Sequence, residues 1–218
     1  MKTLLLSTTA LGLATLISGT AFATPLSGTF NFTVYNGSGN NSETNANNQA
    51  VNTNPLINSS DLVSSFTYTG PLDFNIQTQG SNTLGQFIAT GGGTTNPNPI
   101  GGAGTVLSTA GYGATSVFVI TGTTSSNLTG YISHDDGFTL YQNGTPVASD
   151  PGPTSDTDTD YTLPAGSFEL VYVEANAAPS ILDFEVTSST PVPEPASMAL
   201  LGTGLIALGL VARRRRAA

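Results

Sequence analysis

The chain has 218 residues, with 14 Asp and Glu against five Lys and Arg, and no Cys. All five bases lie in the ends (Lys2, Arg213, Arg214, Arg215 and Arg216), so residues 24–190 hold 13 acids, no Lys or Arg, and a net charge of −13 with His134 neutral. That balance argues against nucleic acid as a partner, since nothing can neutralise phosphates, and against attraction to an anionic membrane surface; each carboxylate has to be solvated, bonded to a backbone N–H or hydroxyl, or balanced by a cation.

The N-terminus reads as an export signal. Lys2 opens a short basic region, residues 4–17 form an apolar run, and Ala21-Phe22-Ala23 puts small residues where a signal peptidase reads them. Residues 1–23 are therefore expected to be removed, leaving Thr24 first. The 167 residues from 24 to 190 contain no disulfide and are enough for one core and one domain.

Residues 29–35 alternate, with Phe30, Phe32 and Val34 on one face, which predicts a half-buried strand. Residues 36–54 are polar and read as a long exposed loop. Alternation returns at 62–69, a short strand is expected at Phe74 and Ile76, and another at 85–90. Residues 91–104 are rich in Gly, Asn and Pro and read as a mobile loop.

The second half is more regular. Strands are expected at 116–121, 128–133 and 138–142. Asn143-Gly144 is a two-residue hairpin turn, because both residues tolerate positive φ, and 145–148 is the return strand. Residues 150–160 read as an acidic loop, and strands follow at 167–175 and 181–186. About ten short strands with turn signals between them predict an all-β, antiparallel, jelly-roll-like sandwich.

The C-terminus has three parts in order: Pro193-Glu194-Pro195, an apolar helical run at 197–212, and the four arginines Arg213 to Arg216. The run is short for a full span, although snorkelling arginines extend it. The positive-inside rule keeps the arginines cytoplasmic and places the main domain outside. Motif, helix and arginines together resemble the Pro-Glu-Pro C-terminal (PEP-CTERM) sorting signals thought to be processed by exosortases, and 192–196 matches the signature directly. The resemblance covers about the last 27 residues. It implies an exosortase-type enzyme as partner, a transient inner-membrane anchor, and delivery to the cell envelope or an exopolysaccharide matrix.

A second resemblance covers residues 116–186. Leu128 to Ser133 is followed by His134-Asp135-Asp136-Gly137, then by Phe138-Thr139-Leu140-Tyr141-Gln142-Asn143-Gly144, and later by Leu163-Pro164-Ala165-Gly166 and Phe168-Glu169-Leu170. This order is similar to the protective-antigen-type module, a β-sandwich often involved in carbohydrate binding. In its lectin members two adjacent aspartates hold a calcium ion that in turn holds sugar hydroxyls. The resemblance puts that role on Asp135 and Asp136, for both calcium and carbohydrate. Calcium takes six to eight hard oxygens, of which sugar diols can supply two. The same Asp-Asp-Gly also serves as a plain turn whose carboxylates accept backbone N–H groups.

Asp156, Asp158 and Asp160 form another acidic cluster. Their spacing resembles the start of an EF-hand loop, but Tyr161 stands where Gly is required and Ser167 where the bidentate Glu belongs. They read either as a solvated loop or as a flap that adds oxygens to the Asp135/Asp136 site. His134 reads as a turn residue. No Cys or marked Ser offers a nucleophile, and no carboxylate pair is marked for glycosidase chemistry. The expectation is a non-enzymatic surface or matrix protein with a calcium-dependent glycan-binding domain; the alternatives are a structural protein without a ligand and, behind it, a glycosidase.

Overall fold

The computed structural model describes residues 23–78, 82–191 and 203–205. Residues 1–22 of the expected signal peptide, the Pro-Glu-Pro motif, the arginine block and nearly all of the expected tail helix lie outside these. Among the described residues no helix is long and apolar enough to cross a membrane.

The elements in chain order are β1 (Thr24–Pro25), β2 (Ser27–Ser38), β3 (Leu62–Pro71), β4 (Asp73–Ile76), α1 (Leu84–Thr90), β5 (Thr94–Asn96), β6 (Ala114–Thr124), β7 (Ser126–Asp135), β8 (Phe138–Gln142), β9 (Thr145–Asp150), β10 (Thr157–Leu163), β11 (Gly166–Glu174) and β12 (Ser180–Pro191). They form two antiparallel sheets. One has the order β1-β12-β7-β10, with β4 also paired to β12; the other runs β5-β3-β2-β6-β11-β8-β9. Alternation drives the packing: Phe30, Phe32 and Val34 of β2 and Phe168, Leu170 and Tyr172 of β11 all point into the space between the sheets and are buried. An aromatic chain crosses this core from Phe66 to Phe32, Phe74, Phe87 and Tyr172, with successive ring centroids 5.2, 5.9, 5.1 and 6.0 Å apart. Each such contact is worth about 0.5–1.5 kcal/mol beyond area burial, and the chain ends beneath the Asp135–Asp136 turn. Asn143 and Gly144 both have positive φ, 51° and 75°, as the hairpin between β8 and β9 requires.

Four expectations are corrected. The segment at 85–90 is helical, not a strand. Thr83 caps it by accepting the Gln86 N–H, and Leu84, Phe87 and Ile88 share one buried face at helical spacing. The segment at 36–54 is not an exposed loop. Residues 36–38 extend β2, and the rest folds over the outer face of the second sheet, where Ala50 and Leu56 join Val117, Tyr141, Val171 and Val173 in a second apolar cluster. Asn48, fully buried, holds this flap: its Nδ2 donates to the carbonyls of Gly39 (2.9 Å) and Ser42 (2.7 Å), and its Oδ1 accepts the Thr115 hydroxyl. Within 91–104, β5 pairs with β3 and so belongs to the sheet. The acidic segment at 150–160 is half strand, because β10 begins at Thr157 and pairs with β7 along its whole length.

Candidate functional site

β7 ends at Asp135 and β8 begins at Phe138, so Asp136 and Gly137 make the connection between the two sheets. The Asp135–Asp136 peptide is cis. Gly137 has a packing reason: a Cβ there would lie 2.4 Å from the Pro151 carbonyl oxygen and 2.6 Å from that of Gly152. Its own carbonyl accepts the Val173 N–H at 2.9 Å, which ties the turn to β11. His134 is not a turn residue. It is the last inward-facing residue of β7 and is wholly buried.

Asp135 and Asp136 both line a cleft of about 440 Å³, together with Glu43 from the flap, Tyr112, Thr154 and Asn176. Both are mostly buried, at 7% and 4% exposure. Asp136 is fixed by backbone: its Oδ2 accepts the Ala175 N–H at 2.7 Å, and the N–H groups of Asn176 and Thr154 also bond it. Burial nevertheless pushes its pKa up to about 6, with the charge of Glu43 adding to the rise. Asp135 is pushed up to about 7 by burial first and the neighbouring Asp136 charge second, and the Asp156 N–H works against this. Two carboxyl groups so placed take a proton or a cation.

The second acidic cluster is not brought into this cleft. Asp156 bonds the Asp135 carboxylate through its backbone N–H, but its side chain lines a separate hollow of about 410 Å³ with Asp158, Asp183 and Ser133. Asp160 stands on β10 opposite Tyr131. A cross-strand row, Asp73–Asp183–Ser133–Asp158, runs over four strands of this sheet. Burial, with Asp73 and Glu185 nearby, pushes Asp183 up to about 7. A larger groove of about 500 Å³ lies on the outer face of the other sheet and is floored by Thr29, Asn31, Thr121 and Glu169, which carry hydroxyls and an amide with one acid. Among the described residues no three acidic or histidine side chains converge to hold a metal by themselves.

A model of the PEP-CTERM protein-sorting motif matches residues 191–216. This chain carries that sorting motif. It marks an exported protein sorted to the cell envelope. No curated protein sequence matches the chain. Two solved structures are similar to it. One is a PA14 sugar-binding domain from an RTX adhesin, 15% identical, with a TM-score of 0.46, covering 77% of this chain and 100% of that one. The other is the PA14 domain of MpAFP antifreeze protein, 16% identical, with a TM-score of 0.46, covering 81% and 86%.

Glu43, Tyr112 and Asn176 were not singled out from sequence. They lie 92, 23 and 41 positions from Asp135 in the numbering, and only the folded flap and loops bring them to it.

Proposed function

We propose that this PEP-CTERM protein is a non-enzymatic component of the cell surface or exopolysaccharide matrix whose sandwich binds glycan through a calcium ion at Asp135 and Asp136. In this reading the tail helix anchors the chain transiently in the inner membrane until an exosortase-type enzyme processes it, and the sandwich is jelly-roll-like. The observation that carries the metal reading is the buried carboxylate pair sharing one cleft, with Asp136 held by three backbone N–H groups, in a domain without Lys or Arg. Those donors favour an ionised carboxylate while burial opposes it, and a divalent cation resolves the conflict. Among the described residues no third acidic side chain converges on the pair, so in this reading the remaining oxygens come from backbone, water or sugar hydroxyls, and this is what makes the ion a glycan receptor. Asp156, Asp158 and Asp160 stay outside this coordination set.

The test is calorimetric titration of the purified chain with calcium and with magnesium at matched ionic strength, on wild type and on an Asp135→Asn/Asp136→Asn double variant, followed by a glycan-array screen in calcium and in chelator. Binding specific to calcium and lost in the double variant supports the reading. Equal, weak responses to both ions in both proteins favour a structural protein in which Asp135 and Asp136 only close a turn, a reading supported by the backbone N–H bonds that both already accept.

A further inference from the structure

The geometry points to Tyr172 and Glu174 as a buried strut that positions the Asp135 backbone, and with it the carboxylate pair, from inside the core; this rests on the proposed role of that pair.

Tyr172 and Glu174 are two apart on β11 and so point the same way, into the sandwich, where both are fully buried. The Tyr172 hydroxyl bonds the Asp135 carbonyl oxygen and lies 3.1 Å from Glu174 Oε2. Glu174 Oε1 accepts the Ser108 hydroxyl at 2.6 Å. Ser108 Oγ in turn accepts the Ala177 N–H at 2.8 Å and the Asn82 amide at 3.0 Å, and Asn82 Oδ1 accepts from Ser180 at 3.2 Å. One buried network thus ties the Asp135 turn to residues 82, 108 and 177–180, all distant in sequence.

Proton counting gives the network a direction. A carbonyl oxygen only accepts, so the single Tyr172 hydroxyl proton belongs to Asp135. Ser108 and Ser180 also reach Glu174, and a proton on its Oε2 completes the 3.1 Å contact with the Tyr172 oxygen while Tyr172 donates to Asp135. No Lys or Arg exists in the domain to pair with Glu174, and burial, reinforced by the Asp136 charge, drives it well above the usual carboxylate range. A neutral acid is therefore the form that completes the chain. A glutamine has the same donor and acceptor in nearly the same places; a leucine has neither.

The experiment compares wild type, Glu174→Gln, Glu174→Leu and Tyr172→Phe as full chains. Amide hydrogen exchange of the segment 135–137 is read in chelator, and calcium affinity by calorimetry. Tyr172→Phe removes one hydroxyl and leaves the ring packing, so it remains informative where Glu174→Leu fails to fold. The strut predicts faster exchange at 135–137 in Tyr172→Phe and Glu174→Leu, exchange close to wild type in Glu174→Gln, and calcium affinity weakened in the first two by about tenfold or more, the usual cost of losing an outer-shell partner. Unchanged exchange in Tyr172→Phe, or a Glu174→Gln variant as loose as Glu174→Leu, overturns it. A wild type that ignores calcium defeats the proposed metal site, and the exchange data then decide the strut by themselves.

Discussion

The Nδ1 of His134 lies 2.7 Å from the backbone carbonyl oxygen of Asp136, two residues further on. The carbonyl only accepts, so Nδ1 carries the proton. Nε2, 3.0 Å from Thr159 Oγ1, then accepts the threonine hydroxyl, and burial keeps the ring neutral by lowering its pKa. The ring also packs edge-on to Phe138 at 4.6 Å between centroids. His134→Ala is expected to cost about 2–4 kcal/mol, combining a cavity with an orphaned Asp136 carbonyl. His134→Asn keeps a donor on that side and should recover part of the loss. Urea unfolding of the two variants checks this; equal losses would mean that the Asp136 bond adds nothing.

The pH dependence of the metal-free fold has a definite sign. Asp135, Asp136 and Asp183 are raised to about 7, 6 and 7, and Glu174 and Glu185 move the same way, all chiefly through burial. A carboxyl raised in the folded state keeps a proton there that the unfolded chain gives up near pH 4, so this stabilisation is present at low pH and lost as pH rises through the folded value. His134, shifted down, opposes this as a single group. In chelator the chain should therefore melt several degrees higher at about pH 5 than at about pH 7.5. Calcium should narrow the gap by replacing the protons at Asp135 and Asp136. Thermal melts at the two pH values, with and without calcium, decide it; a higher melting point at the upper pH in chelator contradicts the burial of these groups.

Asn48 holds the flap over the second sheet with three side-chain hydrogen bonds. Asn48→Ala strips a partner from the buried Gly39 carbonyl and the Thr115 hydroxyl, while the Ser42 carbonyl keeps the Asn45 N–H, at a cost of about 2–3 kcal/mol. Because the flap also carries Glu43 to the cleft, proteolysis within residues 39–61 should accelerate in this variant. Unchanged cleavage there would show that the apolar contacts of Ala50 and Leu56 suffice.

Removing residues 193–218 deletes the sorting motif and the only long apolar run that remains after signal cleavage. The shortened protein should leave the membrane fraction and appear in the soluble exported fraction, with Thr24 as its first residue by mass spectrometry. Retention on the membrane would reveal another anchor.

What the sequence made legible was local. Asn143-Gly144 specifies its hairpin by turn chemistry alone, and the alternation in β2 and β11 assigns their buried faces. The helix at Leu84–Thr90 escaped because it is two turns long and contains Gly85 and Thr90, so a strand pattern fits its apolar residues equally well. The flap escaped because its order comes from side-chain hydrogen bonds of Asn48 and Asn54 to carbonyls within the flap and from the Thr115 hydroxyl on Asn48, which leave no hydrophobic period. Asp158 and Asp160 resemble loop residues because their charges mask a strand alternation in which Thr157, Thr159, Tyr161 and Leu163 take the inward places. Glu174 was within reach. The inward series Phe168, Leu170, Tyr172 continues to 174, and an acid at the next buried position is the signal of a satisfied internal network.

β12 returns antiparallel along β7, pairing Ile181 with Asp135 at one end and Pro191 with Ser126 at the other. At about 3.3 Å per residue, those two ends are about 30 Å apart. The polypeptide that continues past Pro191 therefore departs from the pole of the sandwich opposite the acidic cleft. Under the proposed tail anchoring the cleft lies at the end of the sandwich away from the point of attachment, so an approaching glycan has no need to pass beneath the domain.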